Sequence, residues 1–159
     1  MASYGGFWIR FIAYIIDAII VGIAGAVVGG IFGGILGATM AGSGGDVDGI
    51  AAAAGLMGNL IGIVISWLYF AIMESSASQA TVGKMVFGLV VTDENGYQIS
   101  FGRATGRYFA KFLSTLILLF GFFMIGWTQR KQGLHDMIAS TLVIKKGTMP
   151  DTASAAVFE

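Results

Sequence analysis

The sequence has no cysteine, one proline and one histidine in 159 residues, and only 11% of its residues are charged. Without cysteine there are no disulfides and no thiolate metal sites, and the redox compartment stays open. A lone His135 excludes a histidine-rich metal cluster, and no cofactor is expected. Nine basic residues balance nine acidic ones, so the chain lacks the electrostatic footprint of a nucleic-acid binder. The shortage of charge excludes most. A soluble domain carries roughly 25% charged residues; with 56% hydrophobic residues, this chain could not keep its surface wet. Much of that surface is expected to face membrane lipid.

Catalytic groupings are also missing. Ser75, Ser76 and Ser78 have no nearby base to activate them. Gly83-Lys84 lacks the spacing of a phosphate loop. Asp46 and Asp48 fall short of the roughly 6–8 oxygen ligands that calcium wants. The chain is expected not to be an enzyme.

What is present is long apolar sequence. The first run extends from Phe7 to about Met40, more than the ~20 residues that cross a bilayer core, so it must tilt, bend or extend into the headgroups. No Lys or Arg precedes Arg10, and Asp17 interrupts the run. The segment therefore reads as retained rather than as a cleaved signal, although Ala24–Ala26 mimics a cleavage site. A polar loop, Ala41–Gly49, leads to a second span from about Ile50 to Met73, with Trp67 and Tyr69 near its end and Glu74 marking the exit. After it, "SSASQATVGKMVFG" reads as a loop and short amphipathic helix. "LVVTDENGYQIS" reads as a β-hairpin turning at Asn95-Gly96. A third apolar segment covers Phe112 to about Thr128. A short helix "QGLHDMIAS" and a strand "TLVIKK", able to pair with the hairpin, follow it.

The fold expected is an α-helical polytopic membrane protein. It has two full transmembrane helices, a third membrane-embedded segment, a small cytoplasmic β-hairpin and short amphipathic helices. Residues 1–147 form the membrane domain and residues 148–159 a flexible C-terminal tail. The positive-inside rule places the acidic first loop outside and the N-terminus in the cytoplasm, as in a multi-pass protein of a cell membrane, a bacterial cytoplasmic one. The third segment conflicts with that rule if it spans, because Arg130, Lys131, Lys145 and Lys146 would lie outside. It either spans against the rule or re-enters, bending near Gly121 or Gly126.

These blocks resemble the RDD family of membrane proteins. "FWIRFIAYIIDAII" looks like that family's opening signature, with Arg10 and Asp17 as its arginine and first aspartate. "TVGKMVFGLVVTDENGYQISFGRATGRYF" is similar to the middle block, and "RKQGLHDMIASTLVIKK" to the closing block, with Asp136 as second aspartate. The glycine-rich stretch from Gly22 to Gly45 departs from the pattern. The resemblance implies transport of ions or small solutes, such as cation/proton exchange, or a place beside other membrane proteins.

Arg10 and Asp17 share a helix face, with Tyr14 between them, and Asp17 lies about 10 Å deeper. Arg10 can snorkel to the headgroups. A carboxylate at depth costs roughly 2.5–3.5 kcal/mol on insertion scales. Asp17 is therefore a cation or proton site, or it pairs with a base such as Arg107 or Lys111 and locks the helices. Asp136 either pairs with Arg10 and gates access or caps and docks its own helix. His135 is either a pH sensor or an ordinary interfacial residue. The Arg103/Arg107/Lys111 stripe is expected to meet anionic lipid. Gly25, Gly29, Gly33 and Gly37 form a small-residue face, and Gly55 and Gly62 lie on a matching face of the second span. Those faces join the spans within one chain, build a homo-oligomer, or do both. Two functions follow: transport through an oligomer, or a structural or accessory subunit of a membrane complex.

Overall fold

The computed structural model describes residues 3–42, 44, 46–116 and 125–148. The chain divides into two compact units. One is Ala18–Leu68; the other joins Met1–Asp17 to Tyr69–Glu159. Helix α1 is Phe7–Ala41 and helix α2 is Val47–Ser75. Both contribute to both units.

In the Ala18–Leu68 unit, α1 carries no charged residue from Ala18 onward, and α2 carries only Asp48. Each of these lengths reaches the ~30 Å of a bilayer core at 1.5 Å per residue. Polar side chains bond back to their own helix. Thr39 Oγ1 donates to the Ile35 and Leu36 carbonyls, and Asn59 Nδ2 donates to the Gly55 carbonyl. This is the arrangement a solvent without hydrogen-bond partners requires. Ile19, Ile23, Ile31, Leu56 and Leu60 are exposed, and only 11% of either apolar window is buried. A core helix of a soluble protein would be covered; these two present their apolar surface outward.

Gly29, Gly33 and Leu36 of α1 face Ala54, Gly58 and Ile61 of α2 around a gap of about 10 Å³. Gly25, Gly37 and Gly62 are half-buried and Gly55 is exposed. None of these glycines has an atom within 4 Å of the place a Cβ would occupy. The faces meet loosely enough to admit a methyl group.

The loop before α2 is shorter than expected. Asp46 caps α2, its carboxylate accepting the Gly49 N–H at 3.0 Å, so the helix begins at Val47 rather than near Ile50.

The other unit holds helix α3 (Val82–Val86), strand β1 (Leu89–Asp93), helix α4 (Phe101–Leu116), helix α5 (Leu134–Ile138) and strand β2 (Thr141–Lys145). Strands β1 and β2 pair antiparallel, Leu89 opposite Lys145 and Asp93 opposite Thr141. The segment before α1 adds to the free edge of β2, with Gly5 N donating to Val143 O at 2.9 Å and Lys145 N to Ser3 O at 2.8 Å. Leu89, Val91, Leu142, Val143 and Ile144 form the core of this small sheet.

The expected hairpin is reduced to its turn. The Asp93 carboxylate accepts the Asn95 and Tyr97 N–H groups, and Gly96 takes φ 87°. The returning segment makes one bridge, Gln98 to Thr92. Ladder pairing stops there because Ile99 turns into the core and the Ser100 carbonyl accepts the Ala104 N–H, starting α4. The ladder partner of β1 is β2.

Helix α4 begins eleven residues before Phe112, where the third apolar segment was expected to start. Whether that segment spans or re-enters turns on residues 117–124, which lie outside the described residues, as does the tail from 149 onward.

Candidate functional site: a buried charge network

Within α1, Arg10, Ala13 and Asp17 are buried at positions i, i+3 and i+7, one helical face. Tyr14 is not on that face. It is 54% exposed and stacks on Phe70, with ring centroids 6.3 Å apart.

Asp17 is 1% exposed, and its carboxylate is met by three donors. The Tyr69 hydroxyl donates to Oδ1 at 2.8 Å, the Gly83 N–H to Oδ1 at 2.8 Å, and the Thr81 hydroxyl to Oδ2 at 2.6 Å. Thr81 sits at the N-cap of α3 without capping it through its own side chain. Asp17 supplies that cap from another helix, and the Tyr69 oxygen accepts the Val82 N–H at 3.1 Å. Neither Arg107 nor Lys111 makes the direct ion-pair contact with Asp17 that was one expectation, although Lys111 is near enough to feel its charge. Among the described residues no basic nitrogen comes within ion-pair distance of it. Arg107 is drawn elsewhere, and Lys111 Nζ lies 4.2 Å from the centre of the Phe70 ring.

Gly83 permits this approach. A Cβ there would stand 2.0 Å from the Ala13 carbonyl oxygen, so α3 touches α1 backbone to backbone.

Asp136 is fully buried and joins two arginines. Its Oδ2 accepts Arg10 NH1 at 2.5 Å and the Gly133 N–H at 3.1 Å, capping α5. Its Oδ1 lies 3.0 Å from Arg107 NH2. Arg107 continues to Glu74, with Nε 3.4 Å from Oε2, and Glu74 Oε1 accepts Lys84 Nζ. The sequence Arg10, Asp136, Arg107, Glu74, Lys84 is thus a chain of alternating charge, and every member is buried. Arg10 also donates to the carbonyls of Gly5 at 2.8 Å and Lys131 at 2.7 Å. It does not snorkel; its guanidinium ties the edge segment, the α5 loop and α1 together.

The surroundings set the protonation states. Burial lowers the Lys84 ammonium to about 8, against the pull of Glu74. Burial also lowers His135 to about 3, even though its Nε2 lies 3.3 Å from Asp136 Oδ1. Burial thus favours the neutral imidazole at physiological pH. Burial alone would raise Asp136, but Arg107, His135 and Arg10 more than offset it and hold the carboxyl below its ordinary range.

The basic stripe of α4 does not act as one surface. Arg107 is 2% exposed, whereas Arg103 is exposed and lies 3.9 Å from Asp93. Sequence reasoning missed Glu74, Lys84, Tyr69, Thr81 and Gly83 as members of the network. The one available signal was an acid in the last turn of a span with a lysine ten residues later.

Arg10 of α1 and Asp136 of α5 thereby fall into one charge chain, while Asp17 of α1 is held by uncharged donors beside it. The RDD family pattern matches residues 4–140, nearly the whole chain. The chain belongs to the RDD family. It is 39% identical to the uncharacterised protein YxaI of Bacillus subtilis (strain 168), covering 92% of this chain and all of that protein. It is 28% identical to the uncharacterised membrane protein YteJ of the same organism, covering 89% of this chain and 81% of that protein. No solved structure matches. With two helices long and apolar enough to cross a bilayer, this RDD protein is a small membrane protein.

Proposed function

We propose that this RDD protein is a non-enzymatic, multi-pass protein of the cell membrane whose signature charges are a structural lock, and that it works as an accessory subunit beside another membrane protein or further copies of itself. The observation that carries this reading is the saturation of Asp17: both carboxylate oxygens are occupied by donors from α2 and α3. The gap between the apolar lengths of α1 and α2, about 10 Å³, has room for about one water and offers no path for a solute. The N-terminus is assigned to the cytoplasm, because the stretch between the apolar lengths of α1 and α2 carries Asp46 and Asp48 and no bases.

A second reading, cation or proton exchange through an oligomer, draws support from the same carboxylate. Asp17 is buried beside the Tyr69 and Thr81 hydroxyl oxygens, which would serve a small cation if their protons turned away. Asp17→Asn separates the two. Under the lock reading, purified Asp17→Asn protein loses thermal stability and assembles poorly, and proteoliposomes show no cation flux with either protein. Flux with the wild type that vanishes in an Asp17→Asn protein of normal size and stability would overturn the lock.

A further inference from the structure

Helix α4 is amphipathic the wrong way round for a protein in water. Its inward side carries Arg107, Tyr108, Lys111 and Ser114, and Arg107 is tied to Glu74 and Asp136. Its outward side carries Gly102, Gly106, Phe109 and Leu113, with Phe112 beside them. Phe109, Phe112 and Leu113 are 49%, 49% and 47% exposed.

The outward side is also graded along its length. Arg103, exposed and close to Asp93, marks the first turn. From Gly106 to Leu113 no charged side chain faces out. The two inward cations in that stretch are directed at the buried network and at the Phe70 ring. Positions 102 to 113 cover about 16 Å of helix axis.

We infer that α4 enters the bilayer obliquely, its first turn among the headgroups and its outward side below Gly106 in contact with lipid acyl chains. Lipid contact then begins about six residues ahead of the apolar run at Phe112, and only on one side of the helix. Acyl chains are the occupant this surface fits. A protein partner is generally met by a polar rim around an apolar centre, and beyond Arg103 the exposed positions of α4 are Gly106, Phe109, Phe112 and Leu113, with Thr105 only half-exposed beside them. The part of α1 in the same unit is also outwardly apolar, with Trp8, Phe11 and Ile15 exposed. The inference rests on the membrane location of the chain and stands apart from the choice between lock and transporter.

The absence of cysteine makes the test direct. Single substitutions Gly102→Cys, Gly106→Cys, Phe109→Cys and Leu113→Cys each fall on an outward position, and a side chain at Gly106 meets nothing within 4 Å. Each is spin-labelled and reconstituted in phosphatidylcholine vesicles containing a minority of phosphatidylglycerol. Collision with oxygen is then compared with collision with a water-soluble nickel chelate. Tyr97→Cys, on the exposed turn after β1, is the water reference. The expected result is a monotonic shift from chelate to oxygen accessibility from 102 to 113, with 109 and 113 hidden from the chelate. Labels at 109 and 113 as chelate-accessible as that at 97 would overturn the inference. So would exclusion of both reagents with spectral broadening that disappears on dilution with unlabelled protein, which would mark a second copy as the occupant.

Discussion

At Asp136 one carboxylate holds two guanidinium groups and the first turn of α5 at once. Losing its charge would leave Arg10 and Arg107 buried against each other. Removing one partner of a buried pair costs roughly 3–5 kcal/mol. Asp136→Asn should accordingly lower the unfolding midpoint in detergent sharply, whereas Arg103→Gln, at the exposed end of α4, should change it little. Acid should act through the neighbouring residue first. An unfolded chain protonates His135 near 6.5, but the folded one resists until about 3. Stability should therefore fall as pH drops through that window, with Asp136 adding a further loss below its ordinary carboxyl range. Thermal unfolding across that pH range checks this, and a His135→Gln protein should show a flatter upper part. Arg10, Asp17 and Asp136 were legible from the sequence because charge in an apolar run has few innocent explanations. Their partners were not. The donors to Asp17 lie more than fifty residues away, and two of the three are a hydroxyl of threonine and a backbone N–H, which no charge pattern reveals.

Glycine plays two opposite parts among the elements of this chain. Gly83 lets α3 press its backbone against that of α1, whereas Gly29, Gly33 and Gly58 line a gap of about 10 Å³. Gly83→Ala should expel α3, release the cap on Asp17 and prevent recovery of folded protein. Gly58→Ala should be tolerated, with a gain of up to about 1 kcal/mol from helix propensity. Comparing the yield and unfolding midpoint of the two variants tests both statements, and a Gly58→Ala protein that failed to fold would show that α1 and α2 lie closer than described. The long apolar helices were legible because twenty or more uncharged residues admit few structures. The hairpin was not, because Asn95-Gly96 specifies a turn but says nothing about how far the chain pairs beyond it. Glu74 was read as a marker of water because acids at the end of a span usually are; here the following helix α3 brings Lys84 back to cover it.

At the scale of the whole molecule, the bulk of the exposed apolar surface lies on helices long enough to cross a bilayer. The protein should stay with the membrane fraction after an alkaline carbonate wash and leave it only with detergent; recovery in the soluble fraction would contradict the lipid-facing surface. One further property follows from the edge segment at β2. Arg10 is made more than a hundred residues before the Lys131, Asp136 and Val143 groups to which it bonds. Its charge thus waits through the synthesis of both long helices before it is satisfied. Nascent chains truncated before Thr141 should hold their two long helices yet remain open to protease at the start of α1, and maturation becomes a closing of the ring between the edge segment and β2.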